Sequence, residues 1–185
     1  FWQQAVVTAT LCNELARTIA TNKRPDVGLA YLCGLLHNFG YLILGHVFPP
    51  QFELVNRYIE ANPHIGRHQL EMYLLGITRE QCAAALLKQW GMPAELIIAT
   101  RYQHHEHLNM SNDDANLKYA QLLYVATRLL RQRGFGDGPN QAIDANVWQA
   151  LGLDEVLAQS ITDETLNRLE DLNVQVSVLN QATSR

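Results

Sequence analysis

The chain has 185 residues, 48% of them hydrophobic and 17% charged, enough to close one sizeable core and too apolar for a disordered chain. Its net charge of -4, with acidic and basic residues interspersed, carries no basic footprint and argues against nucleic acid and anionic membrane as partners. The three cysteines, Cys12, Cys33 and Cys82, lie in apolar stretches without C-x-x-C spacing and read as small buried hydrophobes of a reducing cytoplasm.

The sequence opens inside a helical pattern without an initiator Met, so a fragment of a longer protein is expected. Trp2, Val6, Ala9, Leu11, Leu15 and Ile19 recur at threes and fours, and Thr21 to Pro25 is a polar break. Asp26 is placed to cap a second helix running through Leu36, with Gly40 as its stop. The most apolar window, Val27 to Leu44, is interrupted by Gly34, His37, Asn38 and Gly40, so no run reaches the ~18–20 residues of a membrane span. Tyr41 to Phe48 continues the apolar pattern to Pro49-Pro50, a turn or a first helical position. Gln51 to Ala61 reads as an amphipathic helix with Phe52, Val55 and Ile59 inward.

Gly66 to Leu75 is a helix stopped by Gly76, and Thr78 with Gln81 makes a capping box for the helix that ends at Trp90. Gly91-Met92-Pro93 separates it from a helix carrying Leu96, Ile97 and Ala99. Asp113 or Asp114 can cap a helix reaching Leu130, with Leu122, Val125 and Leu129 on one face. Residues 131–140, with Gly134, Gly136, Gly138 and Pro139, read as a loop. Helical patterns follow at Asp144 to Leu151 and Thr162 to Leu179, with a short ambiguous run at Val174 to Val178. The fold class is therefore all-α, a compact bundle of eight or more helices. The expected organisation is a core over 1–130, a loop over 131–140 and C-terminal helices over 141–185 packed on that core.

Trp2, Trp90 and Trp148 read as core anchors, and Arg128, Arg131 and Arg133 as a solvated helix end suited to the dipole, with a phosphate or acidic-partner contact there as the minority reading. The phosphate-loop, dinucleotide and nucleophile-elbow glycine motifs are absent. Of the seven histidines, His37 stands out for its apolar setting, and His104-His105 form a second cluster.

Gly34-Leu35-Leu36-His37-Asn38-Phe39-Gly40 resembles the G-L-L-H-D-[IL]-G segment of the HD superfamily of metal phosphohydrolases. Phe1-Trp2, Glu71 with Gly76, the run 86–93 and Arg101-Tyr102-Gln103-His104-His105-Glu106 are similar, in order and spacing, to motifs of its HDOD branch. The resemblance spans roughly residues 1 to 130 and implies an HD-like helical bundle acting as a bacterial signalling output domain. It also implies that part of the family's helical region precedes Phe1.

Catalytic HD enzymes hold a metal with an early His, the His-Asp pair and a later Asp, a set that neutralises a divalent ion and generates hydroxide. Carried over by resemblance, these positions fall at about Gln4, at His37 with Asn38, and near Thr127, while a further His falls at Arg79. His37, His104 and His105 alone remain as metal-ligand candidates, with Gln103 shifting the histidine register by one. The expectation is accordingly no cofactor, no bound metal and no catalysis. The pocket of Gln4, His37, Asn38, Arg79, His104, His105 and Thr127 is instead expected to serve signalling-protein partners or a small anionic ligand. The competing readings are a divergent HD phosphohydrolase acting on a nucleotide or cyclic dinucleotide, and a homodimerisation module built on the segment after Asn140.

Overall fold

The computed structural model describes residues 2–104, 117–136 and 140–183, with side chains described as far as residue 170. The expected caps Asp113 and Asp114, together with His105, Glu106, Gly138 and Pro139, lie outside the described residues. Within them the chain forms ten helices and no strand. They are α1 (Trp2–Thr18), α2 (Val27–Leu36), α3 (Phe39–Val47), α4 (Pro49–Ala61), α5 (Arg67–Leu75), α6 (Arg79–Gln89), α7 (Ala94–Tyr102), α8 (Leu117–Gln132), α9 (Ala145–Leu151) and α10 (Glu155–Thr183). The all-α expectation holds, and the ambiguous run 174–178 is helical backbone inside α10.

The start and stop signals act locally as their chemistry requires. Asp26 Oδ1 accepts the Leu29 N–H at 2.7 Å, and Thr78 and Gln81 close a reciprocal capping box at the start of α6. Asp144 caps α9 in the same way, and Pro49-Pro50 occupy the first turn of α4. Gly76 ends α5 with φ +72°, a conformation only glycine adopts without strain.

The core gathers on α8, whose residues 119–130 are all buried. Leu122, Val125 and Leu129 are inward as expected, but the helix is enclosed on every side because α1, α2, α7, α9 and α10 all pack against it. α9, α10 and the turn between them add Val147, Trp148, Leu151, Leu153 and Ala158 to the same apolar cluster. α4 and α5 form a hairpin that joins the bundle mainly through α3, and Val55 is the one fully buried residue of α4.

Several expectations change. Trp148 is a core residue at 8% exposure, but Trp2 and Trp90 are 70% and 58% exposed. Trp2 sits in the first turn of α1, past the end of the buried stripe; Trp90 caps α6 and meets only the tilted ring of Phe39, 5.5 Å away, among ring contacts. The arginines are no solvated helix end, since the C-terminal helices fold back over α8. Arg128 is 3% exposed, with its guanidinium 3.5 Å over the Tyr124 ring and a bond to Gln141. Arg133 is tied to Asp163 and to the Gln159 carbonyl of α10.

The apolar stretch Val27–Val47 also differs from expectation: 21 residues with a mean hydropathy of 1.6 are apolar enough to cross a membrane by composition. The structure divides them into two helices at His37–Asn38 and buries Ala30, Cys33, Ile43 and Leu44 in the bundle. Gly40 does not stop a helix. It lies inside the first turn of α3, for a reason given below.

Candidate functional site

Two glycines set where His37 stands. A Cβ on Gly34 would lie 2.5 Å from Ala9 Cα and 2.7 Å from the Thr8 carbonyl oxygen, so only glycine lets α2 press onto α1. A Cβ on Gly40 would lie 2.1 Å from the Arg79 carbonyl oxygen, which fixes α3 against the start of α6. Between these backbone contacts the chain turns at His37 and Asn38, and the turn faces α1, α6 and α8 together.

His37 is 4% exposed, and its Nδ1 lies 2.6 Å from the Gly34 carbonyl oxygen. That oxygen can only accept, so Nδ1 carries the proton and Nε2 presents a lone pair. Burial lowers the His37 pKa to about 4 against the raising effect of the Gly34 carbonyl, and His104, Arg79 and Arg131 lower it further. At neutral pH the ring is uncharged. Gln103, 1% exposed, donates to the His37 carbonyl at 2.8 Å and to the Thr100 carbonyl at 3.1 Å. Gln103 therefore backs the motif from behind, and His104 lines the site.

Arg79 opens α6 beside His37. Its backbone N–H donates to Glu71 Oε2 at 3.1 Å, and its Nε donates to Glu80 Oε1 at 2.9 Å. His104 Nε2 reaches the same Glu80 oxygen at 3.3 Å. Burial opposes ionisation of Glu80, but His104 and Arg79 outweigh it and hold the carboxyl well below the usual range. Burial raises the Glu71 carboxyl, against the pull of Arg79. Desolvation lowers the His104 pKa against the raising effect of Glu80, and the charges of Arg79 and Arg131 lower it further.

These groups border one small, partly open cavity, lined by Gln4, Thr8, His37, Asn38, Arg79, His104, Thr127, Leu130, Arg131, Phe135 and Gly136. Six sequence candidates, Gln4, His37, Asn38, Arg79, His104 and Thr127, are brought together there from five parts of the chain. His105 lies outside the described residues. Sequence reasoning read Arg131 as part of a solvated helix end and missed Phe135 and Gly136; all three close the cavity from the end of α8 and the loop after it. It also missed Glu80, the carboxylate behind the wall. One signal was available: Arg128 and Arg131 lie three apart on an apolar helix, where a cation needs a reason.

The superfamily's divalent metal does not fit this wall. Among the described residues no three His, Cys, Asp or Glu side chains converge to hold an ion. Among the described residues no carboxylate lines the cavity, and Glu80 is already committed to Arg79 and His104. Thr127 Oγ1 spends its proton on the Leu123 and Tyr124 carbonyls, at 2.9 and 3.2 Å. A cation there would meet two guanidinium groups, and no carboxylate of the described residues lines the wall to ligate it.

Known proteins were compared with this architecture. A solved chain from Marinobacter aquaeolei VT8, provisionally named a signal transduction protein, is 43% identical with a TM-score of 0.84. The match covers 97% of the present chain and 39% of that one. An HDOD domain protein of unknown function from Geobacter sulfurreducens is 17% identical with a TM-score of 0.76, covering 91% of this chain and 59% of its own. A provisional phosphohydrolase from Shewanella amazonensis SB2B is 19% identical with a TM-score of 0.66, covering 90% and 58%. At such identities the last two show shared fold alone. An uncharacterized protein of Treponema pallidum (strain Nichols) is 29% identical over 104 residues, 56% of this chain and 20% of that protein. The chain thus spans well under two thirds of each of these relatives. The sequence model of the HDOD domain matches residues 1–106, more than half of the chain, and the chain belongs to the HDOD family.

Proposed function

We propose that the chain is a non-catalytic signal-transduction output domain of bacterial, cytoplasmic type, working through protein partners or a small anionic ligand. One observation carries this reading: among the described residues, the wall around His37 holds Arg79 and Arg131 but no carboxylate. A hydrolytic metal site requires the reverse, since anionic ligands must offset the ion and orient the imidazoles. The Marinobacter relative's provisional name supports the signalling half of the proposal. Core helices over 1–130 and C-terminal helices over 141–185 then act as one unit, with a homodimer through the C-terminal helices as one form of output.

The test is metal analysis of protein purified without chelator, together with hydrolysis assays on nucleotides and cyclic dinucleotides in manganese, magnesium and iron. The expected result is metal far below one equivalent and no metal-dependent turnover. Stoichiometric metal with phosphohydrolase activity would overturn the proposal in favour of a divergent HD enzyme. Light scattering with and without residues 141–185 tests the dimer.

A further inference from the structure

A half-satisfied glutamine is buried where the motif helix breaks. Gln103 is 1% exposed, and its side-chain nitrogen donates to the His37 carbonyl at 2.8 Å and to the Thr100 carbonyl at 3.1 Å. Among the described residues its Oε1 is buried with no hydrogen-bond partner. The same holds for Oγ1 of Thr100, three residues earlier in α7 and 0% exposed. Thr127, Thr162 and Thr165, also buried in helices, each donate to a carbonyl of their own helix. A buried polar atom left unpaired costs stability, so two in one turn call for a cause.

The two groups are complementary. Thr100 holds a hydroxyl proton without an acceptor, and Gln103 holds an acceptor without a donor. Turning the amide so that Oε1 takes the Thr100 proton withdraws the nitrogen from the His37 carbonyl. That carbonyl has an alternative partner. The Tyr41 N–H donates to the Asn38 carbonyl at 2.9 Å, three residues back, and in an unbroken α-helix it would donate to His37. Of the two residues between α2 and α3, His37 is already helical at φ -56° and ψ -34°. Asn38, at φ -97° and ψ 12°, keeps the break. The close contact of Gly40 with the Arg79 carbonyl opposes straightening and keeps the broken form as the ground state.

We infer that Gln103 is a two-position latch on the break between α2 and α3. In one position it grips the His37 carbonyl. In the other it takes the Thr100 hydroxyl, and the two helices join through Tyr41 and His37. His37 and Asn38 line the cavity, as does His104 next to the latch. The latch thereby links the cavity wall to α3 and to the α4–α5 hairpin that α3 carries. This goes beyond the question of what the cavity receives and does not depend on its answer.

NMR of the full chain tests the latch. Relaxation dispersion should show μs–ms exchange at the amides of residues 38–41 and at the Gln103 side-chain amide. Gln103→Met keeps the bulk and removes the donor. The Asn38 ¹³Cα shift should then move toward its helical value, a signature that general loosening would not give. Thr100→Val removes the second position, so the exchange should disappear. That variant should be at least as stable as the native chain, because an unpaired hydroxyl gives way to a methyl group. It also provides the test if Gln103→Met does not fold. The latch is overturned by a native chain without exchange at these amides, by an unmoved Asn38 shift in folded Gln103→Met, or by exchange that persists in Thr100→Val. A Thr100→Val chain less stable than the native one also overturns it, since the hydroxyl would then be bonded in solution. The metal and phosphohydrolase assays above are independent of each of these outcomes.

Discussion

Gly40 and Arg79 meet backbone to backbone, so closely that a methyl group on residue 40 would stand 2.1 Å from the Arg79 carbonyl oxygen. The contact holds the motif helix against the residue that puts a guanidinium in the cavity. Gly40→Ala cannot be absorbed by a side chain, because the obstacle is main chain. We expect it to destabilise the fold by about 3 kcal/mol or more, measured by urea unfolding. Gly45→Ala in the same helix is the control. Its Cβ would meet the Phe52 ring at 3.8 Å, an ordinary contact, so the change should be neutral or stabilise by up to about 1 kcal/mol. Equal effects would show that helix propensity, not the contact with Arg79, decides both.

That contrast marks where the sequence was readable. Caps and stops depend on near neighbours, so Asp26, Thr78 with Gln81, and Gly76 were legible one residue at a time. Gly40 looked like a stop because nothing nearby in sequence shows that residue 79 will arrive beside it. The six pocket residues were found by resemblance to an ordered motif set, and that resemblance faded near residue 130. Arg131, Phe135 and Gly136 lie just beyond, in a stretch whose glycines describe a loop without saying what it covers. The exposure of Trp2 and Trp90 was illegible for a related reason: helical periodicity gives the face a residue occupies, not whether another helix extends far enough to cover it.

Glu71 joins the α4–α5 hairpin to the cavity. It is 2% exposed and accepts the N–H of Arg79, the first residue of α6. Glu71→Ala leaves that N–H and part of the guanidinium unanswered in a buried setting, and a loss of about 1–3 kcal/mol is expected. Glu71→Gln keeps an acceptor oxygen and should lose less. Hydrogen exchange checks the location: amides of α5 and the first turn of α6 should exchange faster in the alanine variant, while those of α8 keep their order of protection. A uniform rise throughout the chain would refute the local role.

Arg133 does for α10 what Glu71 does for α5. Its guanidinium bonds Asp163 and the Gln159 carbonyl at 3.0 Å, and it reaches the Leu129 carbonyl at 3.4 Å. Asp163 is exposed, so the ion pair itself contributes little; the bonds to main-chain oxygens hold the helix. Arg133→Lys keeps the charge and loses the planar fork. It should loosen α10 nearly as much as Arg133→Ala, read as faster amide exchange at residues 159–166. Full protection in the lysine variant would assign the effect to charge alone.

His37 makes the stability of the domain depend on pH. Its folded pKa is about 4 against an ordinary value of 6.5, so between those limits the unfolded chain binds a proton that the folded chain refuses. Stability from this group is complete above pH 6.5, falls as pH drops through the window, and is level below about 4. The difference of 2.5 pH units corresponds to at most about 3 kcal/mol. Glu80, held ionised by Arg79 and His104, loses its own contribution further toward acid, so the two must be separated. Urea unfolding of the native chain and His37→Gln at pH 7, 6, 5 and 4 does this by subtraction. The native chain should lose more stability across the histidine window than the variant, which keeps the contribution of His104, whose pKa burial also lowers, and the carboxylate fall below it. Parallel curves would mean that His37 titrates alike folded and unfolded, and that the ring is not held neutral by its burial.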